Sequence, residues 1–440
     1  MASSFSSICP GMILQPIGYR APEVCLGLPF SGAIDMWGVG CTLAFLYLND
    51  HLFPFHCEYL MMKCMVEMLG MPSKYHLRFG MYSQRFFCKE DETGTQWRLL
   101  ENITPEEYSS RNEKKAKEWP KSRAHFSSLD DLLYISEVED AEEMEDRKVF
   151  INFLKELLHL DGDLRISPVE ALQHPFITGS YLSQPRSQTA ENKMDDITLA
   201  SDQDGHTKTH ETGNGDDESP LSPANDKCGH CETHVPEDWI EDVPRSPVEL
   251  FPSSNGPNAE DVSFPASNSM SILLMVGQVL QSNSTHYTIL QFIGEGGFGE
   301  VAKCWADNSS SAVAVKILKN EYLQDIEDEV SMLKTIGSLN ADNINVVKFY
   351  EQFQYLGYNC LVFELLDVDL SHLVCSIKVH NIRPIAEQLL VALQGLKSVR
   401  VLHGDIKPDN VMLADIDEDP VRVKLVDFGM ASFSLPSVPG

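Results

Sequence analysis

Basic residues are scarce in this sequence. The 440 residues carry 34 Lys and Arg against 65 Asp and Glu, a formal net charge of −31 at pH 7. That balance argues against a bulk surface for nucleic acid or for anionic membrane, because both want basic patches. A membrane-length apolar span is also missing: the run Ile272–Leu280 is broken by Gly277 and Gln278 and is far too short to cross a bilayer. The opening MASSFSSICPG has no basic region followed by an apolar core, so no secretory signal is expected. Eleven cysteines form an odd set without framework spacing, so free thiols in a reducing compartment are the default. These absences predict a soluble intracellular protein with no direct nucleic-acid contact and no membrane contact. Hydrophobic residues make up 43%, enough for a sizeable core.

What is present concentrates in Val401–Gly429, VLHGDIKPDNVMLADIDEDPVRVKLVDFG. Asp405 is followed by Lys407 and Asn410. After the alternating run Val421–Val426 comes Asp427 in D-F-G. The order acid, Lys, Asn, strand, acid is what phosphoryl transfer from ATP needs. One carboxylate accepts a hydroxyl proton, a cation and an amide hold phosphate and metal, and the second carboxylate holds Mg²⁺. Upstream, GEGGFGEV places Gly294, Glu295, Gly296, Gly297 and Gly299 before Val301. A lone G-x-G-x-x-G also fits a dinucleotide turn. Here it lies between two strands rather than between strand and helix, which favours a flap over phosphates. Val313-Ala314-Val315-Lys316 follows, with Lys316 among apolar neighbours. A predicted helix, Asp325–Ile336, offers Glu329 and its rival Glu327 as partners for that Lys.

These motifs resemble the eukaryotic protein kinases. HGDIKPDN, EDEVSML, LVFELL and GYRAPEVCLGLPFSGAIDMWGVGCTLAFLYL are similar to the homeodomain-interacting protein kinases, of the CMGC group and near the dual-specificity tyrosine-regulated kinases. The resemblance implies an α+β, two-lobed fold, with a small antiparallel β lobe and a helical lobe. It implies ATP and Mg²⁺ as cofactors and serine/threonine transfer to proteins, since Lys407 in D-I-K-P follows the serine/threonine pattern. It implies Asp405, Lys407, Lys316 and Glu329 as catalytic residues and Asn410 and Asp427 as metal ligands. Gly294, Glu295, Gly296, Gly297, Gly299, Val301, Ala314, Lys316, Phe363, Glu364 and Leu366 would line the nucleotide cleft, with Phe363 as gatekeeper. Glu329 rather than Glu327 matches the acid that pairs with Lys316. Asp35 would accept N–H groups of the catalytic loop or, more simply, cap a helix. Glu23 would pair with Arg165. Protein substrates, some transcription-related, and residence in nucleus or cytoplasm also follow only from the resemblance. Gly404 stands where an Arg is common. Ile13 and Ile17 stand where the family has a Tyr and an Arg, which puts tyrosine autophosphorylation and a preference for proline after the target residue in doubt.

The motifs come in an inverted order. The end of the activation segment and the large helical lobe (1–182) precede the flap, hinge, catalytic loop and D-F-G (284–440). Between them, 183–283 is acidic, polar and expected to be disordered, since so few large apolar residues cannot offset chain entropy. Its S-P pairs at Ser219, Ser222 and Ser246 are weak phosphosite candidates. Cys228 and Cys231 with His234 suggest zinc, but two free thiols are the expected case. MASSFSSICPG at the start and MASFSLPSVPG at the end are two versions of one segment, which suggests a tandem duplication rather than a simple permutation. The complementary halves are expected to dock into one permuted kinase fold. The competing expectation is an inactive kinase-like scaffold or tandem-gene fragment that binds nucleotide or partners without turnover.

Overall fold

The computed structural model describes residues 11–90, 96–100, 126–136, 140–183, 274–296, 299–308, 311–319, 323–339, 341, 343–373, 377–415 and 421–433. The S-P pairs, the Cys228–His234 cluster, most of the insert at 89–119, and the two similar terminal segments apart from Gly11 and Met430–Phe433 lie outside them. Described residues from both sides of the central segment form one compact unit.

The helical part is built around α2 (Ala33–Leu48). Asp35 is its one charge, and almost every other side chain is buried, as an all-round apolar helix requires. Two of its glycines are there for space rather than flexibility. A Cβ at Gly38 would sit 2.7 Å from the Cβ of Ile406, and one at Gly40 would sit 2.8 Å from Leu158. The helix ends at Asn49, in the left-handed conformation (φ 51°) that a short polar side chain tolerates. Around it lie α1 (Pro22–Leu26), α3 (Glu58–Leu69), α4 (Lys74–Phe79), a two-stranded ribbon β1 (Phe87–Lys89) with β2 (Trp97–Leu99), α5 (Ala141–Leu157), α6 (Pro168–Ala171) and α7 (Pro175–Thr178). The side chain of Asp140 accepts the N–H groups of Glu142 and Glu143 and starts α5.

The second half opens with a six-stranded antiparallel sheet. Its strands are β3 (Val279–Gln281), β4 (His286–Gly296), β5 (Gly299–Ala306), β6 (Ala312–Lys319), β7 (Phe349–Tyr355) and β8 (Tyr358–Glu364), in the order 3-4-5-6-8-7. Val313, Val315 and Ile317 are buried at alternate positions along β6, the period-two pattern of a half-buried strand. β3 falls inside the stretch 183–283 expected to be disordered. Leu280 is fully buried and pairs with Tyr287 of β4. Three residues after the break at Gly277 and Gln278 carry little local signal; the pairing partner supplies the order. Next come α8 (Leu323–Ile336), α9 (Val379–Ser398), β9 (Val401–Leu402), β10 (Val411–Leu413), β11 (Val423–Leu425) and β12 (Ser432–Phe433). β10 pairs with β11, and β12 with β9.

The two halves share one core, in which Leu43, Phe150 and Leu157 belong with Leu389, Leu393 and Leu402. Polar ties cross the divide as well. The N–H of Ile377 bonds the Leu46 carbonyl at 2.9 Å, and Arg383 on α9 donates to the Phe176 carbonyl at 2.7 Å. The fold is therefore α+β and two-lobed, with its sequence halves exchanged.

Candidate functional site

β4 and β5 form the flap. Gly294 lies opposite Val301, Glu295 opposite Glu300, and Gly296 opposite Gly299. Gly297 lies outside the described residues. A Cβ at Gly299 would sit 2.0 Å from the Ile317 carbonyl oxygen, so only glycine allows β5 to lie this close to β6. Val301 pairs with Lys316 and Ala314 with Phe363 across the sheet. Leu366 follows the last strand and is buried.

Lys316 Nζ lies 2.8 Å from Glu329 Oε1 on α8 and 3.0 Å from Asp427 Oδ1. Glu329, not the exposed Glu327, reaches it. Burial alone would lower the Lys316 pKa, but Asp427 and Glu329 overcome it and hold the amine above its usual range. Burial pushes the Glu329 carboxyl up despite Lys316. For Asp427 burial works upward too, yet Lys316 prevails and the carboxyl falls below its ordinary value. One ammonium thus pairs with two carboxylates in a partly dry cleft. Asp427 has φ 60°, a left-handed conformation that costs a non-glycine residue free energy and is found where surroundings enforce it.

The second cluster sits on the turn after β9. Lys407 Nζ is 2.9 Å from Asp405 Oδ2. The Asn410 side-chain amide donates to the Asp405 carbonyl and to Asp405 Oδ2, each at 2.8 Å. Its own Oδ1 is then the atom left for a cation. The backbone N–H of Val426 bonds the Asn410 carbonyl at 2.9 Å, which sets the turn beside the D-F-G segment. The turn is anchored by Asp35: its two oxygens accept the N–H groups of His403 and Gly404, both at 2.8 Å. The helix α2 begins after Gly32, and Asp35 is not its cap. Burial raises the Asp35 pKa, opposed by His403 and the two N–H bonds.

Sequence reasoning passed over His403. Its ring is fully buried, accepts the Asp405 N–H through Nδ1 at 3.2 Å, and donates from Nε2 to the Val426 carbonyl at 3.0 Å. These two bonds link the Asp405 and Asp427 loops. Its edge also meets the Phe428 ring. A histidine two residues before an acid was the available signal.

Ile13 is 44% exposed. The carbonyls of Leu14 and Gln15, the latter at φ 66°, accept bonds from Arg20, which also pairs with Glu58. Arg165 grips Glu23 with two bonds, 2.7 and 3.0 Å long, and donates to the Ala33 carbonyl at 2.7 Å.

Comparison with known proteins gives the following. A family model described as "Protein kinase domain" matches residues 12–177 and 287–438, more than half of the chain. Homeodomain-interacting protein kinase 1 of Mus musculus is 43% identical over 166 residues, covering 36% of this chain and 14% of that protein. Homeodomain-interacting protein kinase 2 of Mesocricetus auratus is 42% identical over 166 residues, with 36% and 14% covered. Homeodomain-interacting protein kinase 4 of Mus musculus is 38% identical over 160 residues, with 35% and 26% covered. Each match takes in well under a third of the relative's own length. Among the described residues no helix is long and apolar enough to cross a membrane.

Proposed function

We propose that this chain, which belongs to the protein kinase family and resembles the homeodomain-interacting members with its halves in exchanged order, transfers the γ-phosphoryl group of Mg-ATP to serine and threonine hydroxyls of proteins. The observation that carries this reading is Lys316 bridging Glu329 and Asp427 at 2.8 and 3.0 Å. The bridge ties strand β6, helix α8 and the Asp427 loop together.

The residues fit the group they would hold. The β4–β5 flap has no room for a side chain at Gly299, which leaves its backbone close to where phosphates would lie. Mg-ATP, when bound, supplies the phosphoryl group and the metal charge that spreads over its oxygens. Asn410 Oδ1 and the Asp427 carboxylate would hold the cation. Lys316, kept charged and oriented by Glu329, would hold phosphate oxygens. Asp405 would take the proton of the acceptor hydroxyl, and Asn410 and Asp35 keep it aimed. Lys407, at 2.9 Å from Asp405, would move to the transferring group. The backbone groups of Glu364 to Leu366 and the side chain of Phe363 would seat the base. Protein substrates of transcriptional kind, and nuclear or cytoplasmic residence, remain part of the proposal through the relatives.

The test is phosphate transfer to a generic protein by the full-length chain, beside Asp405→Asn and Lys316→Met. Asp405→Asn should lower the rate at least about a hundredfold with Mg-ATP binding kept. A wild-type chain that binds Mg-ATP and transfers nothing would instead favour the scaffold reading.

A further inference from the structure

The Glu364 carboxylate is held by other parts of the protein. Both of its carboxylate oxygens lie 2.7 Å from Lys424 Nζ, and one also accepts the Lys348 N–H at 2.6 Å. Lys424 is 3% exposed, a buried cation on the middle of β11. Backbone bonds run alongside. The N–H of Glu364 bonds the Lys348 carbonyl at 3.0 Å, that of Val347 the Leu425 carbonyl at 2.9 Å, and that of Leu425 the Asn345 carbonyl at 2.9 Å. Thus the end of β8, the segment 345–348 and β11 are laced into one unit. β8 runs on into the stretch that would seat a base. β11 runs on, three residues after Lys424, into Asp427.

We infer that the Lys424–Glu364 pair is a positioning device that fixes the separation between the two ends of the nucleotide site: the base seat after β8 and the metal and phosphate seat at Asp427. The inference rests on the nucleotide-binding reading above. A pair kept only for stability could be replaced by apolar side chains at little cost. Lys424 touches no substrate in this scheme; it acts through Glu364 and Asp427. A ligand that occupies one end is indifferent to the spacing, whereas a ligand that spans both ends is not.

That contrast defines the experiment. Dissociation constants of adenosine and of Mg-ATP would be measured calorimetrically for the full-length chain, for Lys424→Met and for Lys424→Arg. Lys424→Met should weaken Mg-ATP about tenfold or more while adenosine changes less than about twofold, and Lys424→Arg should restore most of the loss. Lys424→Met leaves the partly buried Glu364 carboxylate without its cation, so Lys424→Met/Glu364→Met serves as a second variant without an orphan charge. It should fold and show the same selective loss. Equal weakening of both ligands, or no weakening of either, overturns the inference. Wild-type protein that binds neither ligand overturns the nucleotide-site reading as well, a distinct outcome.

Discussion

Asp35 and Gly404 stand 369 residues apart in the chain, and a carboxylate oxygen of the first accepts the N–H of the second at 2.8 Å. The other oxygen takes the N–H of His403. The turn that carries Asp405 in one half is therefore built on the central helix of the other. Asp35→Ala would leave two buried N–H groups without partners, at about 2–6 kcal/mol. The expected result is a lower denaturant midpoint and a fall in Mg-ATP affinity. Expressed as separate chains, residues 1–185 and 271–440 should co-purify, and Asp35→Ala should weaken that association. Unchanged association would mean that the shared apolar core and the other ties across the divide hold the halves together without Asp35.

Glu23 and Arg165 make the second long-range tie. The Arg165 side chain is fully buried and the Glu23 side chain is 7% exposed. Arg165→Met strands a buried carboxylate and should cost about 3–5 kcal/mol. Adding Glu23→Gln should recover a substantial part. Arg165→Lys should fall between, because a single ammonium cannot reproduce the two-pronged grip and the bond to the Ala33 carbonyl. Urea denaturation of the four proteins measures all of this. A Glu23→Gln addition that recovers nothing would place the cost in lost packing against Trp37, whose ring lies 5.2 Å from the guanidinium.

Gly299 offers a test of the flap. The Ile317 carbonyl would lie 2.0 Å from an added Cβ, so Gly299→Ala must push β5 away from β6. The strain should cost about 1–3 kcal/mol, as overpacking does. Backbone N–H groups of the flap should retreat with it. Mg-ATP affinity should drop while adenosine, which has no phosphates, binds nearly as before. Equal loss for the two would place the damage in the base seat.

Much of this was readable in the sequence, for a chemical reason. Asp405, Lys407, Asn410 and Asp427 are polar types in a long, fixed order, so that order itself suggested chemistry. Asp35 stood out as the lone charge in an apolar helix, and the Glu23–Arg165 pair followed from the family resemblance. What stayed hidden depends on partners distant in the chain. Lys424 alternates with Val423 and Leu425 and reads locally as a solvent-facing strand residue. Only the fold brings Glu364 over it. Likewise β3 has too few residues to announce itself, and Leu280 is buried because β4 lies alongside. His403 appeared as an ordinary neighbour of Asp405 until its second nitrogen was seen on the Val426 carbonyl.

His174 gives the pH prediction. It precedes α7, accepts the Phe176 N–H through Nδ1 at 3.1 Å, and meets Asn152 Oδ1 through Nε2 at 3.0 Å. Accepting at Nδ1 requires the proton on Nε2, so the ring caps the helix only when neutral. Burial lowers its pKa below 6.5, and Glu156 at 3.8 Å opposes this only in part. The unfolded chain therefore takes up a proton near pH 6.5 while the folded one does not. More protons on the unfolded state mean that stability rises with pH across this window. The contribution is complete above about pH 6.5 and is lost as the pH falls from there toward the folded value. His174→Asn keeps a capping oxygen without a titrating ring. Thermal midpoints at pH 7.5 and 5.5 should therefore differ less in His174→Asn than in the wild type. An equal difference in both would mean that the proton is taken up elsewhere and that the cap survives acid.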